Sequence, residues 1–143
     1  MSPLSAVSRT LIFSASSRAN TASIIAKLQY GEIGFMFTGD SPKQIEDYLV
    51  EVYGSELESE VLKLGHHGSD TSTSKPFLKE TQPEIAVVSA GKNNRYGHPS
   101  EAVLARLEAE KIKVLETADS GDITFYSDGE GYWLEGERLQ SVR

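Results

Sequence analysis

The chain has 143 residues, a formal net charge of −7 and 38% hydrophobic residues, enough for one domain with a packed core. Its acidity excludes broad, unaided attraction to nucleic-acid phosphates, although a local basic patch or a divalent ion overrides such repulsion. It has no cysteine, so disulfides and thiolate sites are excluded and any metal must be held by His, Asp, Glu and water, a set suited to zinc, manganese or iron.

No apolar run approaches the ~20 residues of a membrane span, so the chain as given is expected to be soluble. Residues 1–19 carry a short apolar patch amid serines and lack the h-region of a signal peptide. They read as an irregular N-terminal segment, with one domain over residues 20–143. Ser23 to Gln29 reads as a strand, Tyr30-Gly31-Glu32 as a turn and Ile33 to Thr38 as a second strand, together a hairpin. The second strand runs into Gly39-Asp40. Pro42 then starts a helix over Lys43 to Tyr53, with Ile45, Tyr48, Leu49 and Val52 on one face, and Gly54 ends it.

Val61 to Leu64 is a buried strand, and Gly65 permits a sharp turn into two adjacent histidines, His66 and His67. The hydroxyl run Ser69 to Ser74 leads into a helix at Lys75-Pro76-Phe77, which Pro83 closes. Ile85 to Ser89 is a further buried strand. Gly91 to Pro99 is a loop dense in turn residues, and Ser100 caps a helix over Glu101 to Glu110. Strands at Lys113 to Glu116, Asp122 to Ser127 and Gly131 to Leu134 complete a ββαβαβαβββ pattern, a layered α/β sheet.

Three of these strands, ending near Thr38, Leu64 and Ser89, hand over to loops holding Asp40, His66/His67 and His98. Functional groups gather at the carboxyl ends of strands in open α/β sheets. Asp40 alone is as consistent with a helix N-cap as with a metal-bridging carboxylate. His66 and His67 cannot face the same way if the backbone is extended there. One would then bind a metal while the other meets substrate. Lys92, Asn93, Asn94, Arg95 and Tyr96 offer two positive charges and several amide donors, a patch suited either to phosphate or to solvent. The Ser69 to Ser74 hydroxyls either bind an anion or a ligand's outer partner, or cap the next helix.

The ordered set NTASIIAKLQYGEIGFMFTGD, VLKLGHHGSDTSTS, PEIAVVSAGKNNRYGHPS and ETADSGDITF is more specific than any piece. It resembles the C-terminal half of the metallo-β-lactamase-like domain of the ComEC competence (DNA-uptake) family, from about Asn20 to Asp128. The resemblance implies an αββα sandwich with a two-metal site, zinc or manganese, between its sheets. Asp40 stands at the bridging carboxylate, and His67 and His98 stand at ligand positions. His66 then contacts a phosphate or moves a proton, although His66 and His67 could exchange roles. Ser69, Asn94, Arg95 and Tyr96 are the expected substrate contacts.

The family's His-x-(His/Asp)-x-Asp-His motif, which supplies most of the ligands, is absent. The chain therefore reads as a half-domain, to be completed by a missing N-terminal half or by dimerisation. The implied function is a metal-dependent phosphodiesterase or nuclease acting on DNA during uptake, with Asp40 and His66 in catalytic roles. The implied parent is a longer protein with a membrane channel portion, attached to the membrane with this domain outside the bilayer. Two other readings stay open: a catalytically silent half-domain that serves as a structural or partner-binding module, and a hydrolase of a phosphocholine ester or lactone.

Overall fold

A computed structural model of the protein describes residues 8–13 and 23–135. The chain folds as a mixed α/β structure around a sheet of six strands in the order β1-β2-β3-β4-β5-β6. These are β1 (Ser8–Phe13), β2 (Ile25–Tyr30), β3 (Ile33–Phe37), β4 (Val61–Lys63), β5 (Ile85–Val88) and β6 (Lys113–Glu116). The first three run antiparallel and the last four parallel, β3 belonging to both sets. A hairpin of β7 (Phe125–Ser127) and β8 (Tyr132–Leu134) forms a second, small sheet.

The helices lie where apolar spacing and start signals put them: α1 (Lys43–Tyr53), α2 (Lys75–Thr81) and α3 (Glu101–Ala109). The Ser74 and Ser100 side chains accept from the backbone N–H of Phe77 and Val103, capping α2 and α3. Alternation along the strands then splits the core in two. Met36, Leu62, Ala86 and Val88 join Leu49, Phe77, Leu78, Val103 and Leu107 beneath the helices. Ile33, Val61 and Ile85 face the other way and pack with Tyr132, Phe35 and Phe125. The described residues cover only part of that second face, since Leu28 and Phe37 are exposed.

Two elements differ from the sequence-based expectation. The start of the chain, read as irregular over residues 1–19, contains β1, which pairs with all of β2 from Ser8↔Tyr30 to Phe13↔Ile25. A serine-rich flank masks a strand whose stability comes from ladder hydrogen bonds rather than from its own composition. Thr117–Ser120 forms a short helix, α4, and β7 begins at Phe125, so the strand expected from Asp122 is shorter. The remaining residues, including the start of the segment from Asn20, lie outside the described residues.

Candidate active site at the carboxyl ends of the parallel strands

Adjacent parallel pairing fixes the site. Phe37 pairs with Lys63 and Lys63 with Val87, so β3, β4 and β5 end side by side at one edge of the sheet. The segments leaving these ends carry Asp40, then His66 and His67, then His98.

Backbone hydrogen bonds lace the three loops together. His66 donates its N–H to the Gly39 carbonyl at 2.9 Å, and Ser100 donates to the Gly68 carbonyl at 3.0 Å. Gly68 sits at φ +84°, and a Cβ there would lie 2.8 Å from Pro99 Cβ, so only glycine lets the histidine loop approach the His98 loop. Asn94 builds the third loop. Its amide donates to the carbonyls of Gly91 and His98, and its carbonyl accepts from the N–H of Tyr96 and His98.

The two histidines do not sit on extended backbone. Gly65–Gly68 is a tight turn in which His66 (φ 49°) and His67 (φ 57°) are both left-handed. Strand-like alternation therefore does not decide their directions, and their partners do. His67 Nδ1 lies 2.7 Å from the carbonyl oxygen of Ser89. A carbonyl only accepts, so Nδ1 carries the proton and Nε2 keeps a free lone pair. That Nε2 lies 3.9 Å from Asp40 Oδ1. His66 Nδ1 instead meets Thr71 Oγ1 at 3.2 Å. The His66 ring centroid is 6.5 Å from that of His67 and 6.1 Å from that of His98. Buried His98 Nδ1 has no hydrogen-bond partner among the described residues.

A cleft of about 460 Å³ opens beside these groups, lined by His67, Ser89, Asn94, Tyr96, His98 and Thr117, among others. Tyr96 is 65% exposed and stacks on His98 with centroids 5.9 Å apart and ring planes 18° apart. The Arg95 guanidinium lies 4.8 Å from the Tyr96 ring centre. Of the expected substrate contacts, Asn94 and Tyr96 line the cleft and Arg95 flanks Tyr96, whereas Ser69 is buried. Its hydroxyl meets Thr71 Oγ1 at 3.0 Å and accepts from Thr71 N–H. Asp40 is not the helix cap: Pro42 occupies that position, and among the described residues no side chain caps α1. Its carboxylate stays exposed beside His67.

These donors fit a divalent cation in type. A bare imidazole nitrogen backed by a carbonyl, with a carboxylate beside it, is a common ligand arrangement. Metal bonds of ~2.0–2.2 Å set tetrahedral neighbours ~3.3 Å apart, a short side-chain rotation from the distance seen. They fall short in number. Among the described residues no group of three or more His, Asp or Glu side chains converges on a point that could hold a metal.

Sequence reasoning passed over the groups that hold the hydroxyl run. Glu46 on α1 is fully buried, and its carboxylate accepts from the N–H of Thr73 at 2.7 Å and of Ser74 at 2.8 Å. Burial raises its carboxyl above the ordinary 4.5, against the pull of those two N–H groups. From α3, Arg106 donates to the carbonyls of Ser72 and Thr73 and pairs with Asp70. The only advance sign of either was a charge at a core-facing helical position.

No protein-family profile matches the chain. Individual proteins do. It is 40% identical over 106 residues to ComE operon protein 3 of Bacillus subtilis, covering 74% of this chain and 14% of that protein. It is 45% identical over 124 residues to Competence protein ComA of Neisseria gonorrhoeae, covering 87% of this chain and 17% of that protein. It is 33% identical over 111 residues to Recombination protein 2 of Haemophilus influenzae, covering 76% and 14% respectively. The chain thus spans only a small part of the length of these relatives, and no helix among its described residues is long and apolar enough to cross a membrane.

Proposed function

The chain is a relative of the competence proteins, and on that premise we propose that it forms part of a metallo-β-lactamase-type domain hydrolysing phosphodiesters, with DNA as substrate during uptake. The observation that carries this reading is the approach of His67 to Asp40 at the ends of two adjacent parallel strands, with His98 on the loop that leaves the third. His67 keeps its Nε2 lone pair 3.9 Å from the Asp40 carboxylate.

In this reading Asp40 and His67 hold a divalent ion, zinc or manganese, and His98 stands ready as a further ligand. Further ligands come from outside the described residues, by way of an N-terminal half of the domain or a second copy of the chain. The parent protein carries a membrane channel portion, with this domain outside the bilayer. A bound ion supplies a water nucleophile at neutral pH. His66 contacts the phosphate, and the exposed Tyr96 and Arg95 offer a stacking surface and a positive charge to the strand.

A second reading is a catalytically silent module that binds a partner. The observation favouring it is the shortfall of converging ligands among the described residues. Hydrolysis separates the two. Bis-p-nitrophenyl phosphate, DNA and a lactone are offered to the protein with manganese or zinc. The first reading expects cleavage of the two phosphodiesters, lost on Asp40→Ala. Cleavage of the lactone alone points to a different ester, and no cleavage of any of the three, with an N-terminal half of the domain restored as well as without it, supports the silent module.

A further inference from the structure

We propose that Ser69 and Thr71 are positioning residues whose hydroxyls hold His66 in the tautomer opposite to that of His67, so that His66 carries its ring proton on Nε2 and His67 keeps a bare lone pair on Nε2. The inference starts from proton counting.

Ser69 is buried at 6% exposure, and its Oγ already accepts from the N–H of Thr71 at 3.3 Å. Its own hydroxyl proton needs an acceptor, and Thr71 Oγ1 lies 3.0 Å away. Thr71 Oγ1, having accepted from Ser69, turns its proton toward His66 Nδ1 at 3.2 Å. Nδ1 of His66 is then an acceptor, and the ring proton sits on Nε2. His67 is the reverse. Its Nδ1 must donate to the Ser89 carbonyl, which leaves Nε2 bare.

The backbone on both sides of the hydroxyl pair is held by hydrogen bonds. Glu46 and Arg106, from two different helices, grip the backbone of Ser72, Thr73 and Ser74 just beyond Thr71. The Thr71 carbonyl itself accepts from Lys43 N–H at 2.9 Å. On the other side, the N–H of Ser69 donates to the His66 carbonyl at 3.0 Å, which closes the turn on the histidine.

The consequence rests on the hydrolytic reading above: His67 binds the cation, while neutral His66 donates its Nε2–H to a phosphate oxygen without giving up the proton. This assigns separate tasks to two identical side chains that adjoin in sequence. The tautomers themselves need neither metal nor substrate, so the test is independent of activity.

The experiment is long-range proton–nitrogen correlation NMR on the 15N-labelled, metal-free chain, about two pH units above the ordinary histidine value of ~6.5. His67 is expected to show protonated Nδ1 and His66 protonated Nε2. Thr71→Val keeps the branched shape and removes the hydroxyl. It is expected to shift the His66 nitrogens toward an averaged mixture and leave His67 in place, while Thr71→Ser restores the original pattern. A proton on His66 Nδ1 in the unaltered chain overturns the proposal, with Thr71 then accepting from both neighbours. So does a His66 pattern that Thr71→Val leaves unchanged. The first of these outcomes needs no variant to fold. Correct tautomers in a protein that hydrolyses no phosphodiester would leave the hydroxyl relay standing and remove only the hydrolytic reading.

Discussion

At the scale of single residues, the site is built from side chains whose second partner fixes what the first can do. Glu46 shows this away from the cleft. It holds the backbone N–H groups of Thr73 and Ser74 from a fully buried position. Glu46→Gln substitutes an NH2 for one acceptor and leaves a buried donor facing a donor, so near-neutral stability should fall by ~1–3 kcal/mol in urea denaturation. The pH dependence follows from the raised carboxyl. Glu46 binds its proton more tightly folded than unfolded, so the stability linked to that proton, apart from the hydrogen bonds, is fully present below 4.5 and is lost as pH rises through the folded value. Glu46→Gln should flatten that fall above 4.5, and an unchanged slope would show that Glu46 does not titrate in this window. The placement of Asp40, His67 and His98 on loops at strand ends was legible in the sequence, because each lies beside a glycine or proline after a strand. Glu46 and Arg106 were not, because their partners are backbone groups 27 to 34 residues away.

At the scale of elements, loops that meet at the sheet edge depend on a few positions with no slack. Gly68 combines a positive φ with the contact to Pro99. Gly68→Ala should therefore destabilise the protein by ~1–3 kcal/mol, and thermal denaturation reads the loss. A change within a few tenths of a kcal/mol would mean that the two loops can separate freely. The β7–β8 hairpin is tied to the main sheet by Tyr132, whose hydroxyl donates to Glu84 Oε2 at 2.6 Å. Burial and the adjoining carboxylate push the Tyr132 hydroxyl well above its ordinary value of 10.0, so it stays a donor. Tyr132→Phe should cost ~1.5–3 kcal/mol, the range for a hydrogen bond to a charged group. The helices α1, α2 and α3 were readable from spacing and caps. By contrast β1 and α4 were not, since one is set by its pairing partner and the other is a single turn with no apolar face.

At the scale of the whole molecule, helices pack on one face of the sheet, and among the described residues the hairpin covers part of the other. The mixed α/β class was legible from the alternation of strand and helix, and the parallel order of β3 to β6 follows from the helical crossovers between them. The completeness of the site was not legible, because ligand convergence is a property of three dimensions.

The central claim is that Asp40 and His67 act together on a divalent ion, and calorimetric titration of zinc or manganese into the purified chain tests it most directly. The account predicts saturable binding at micromolar concentrations that weakens at least about tenfold, or ~1.4 kcal/mol, on either Asp40→Ala or His67→Ala. No binding, or binding indifferent to both substitutions, would contradict it.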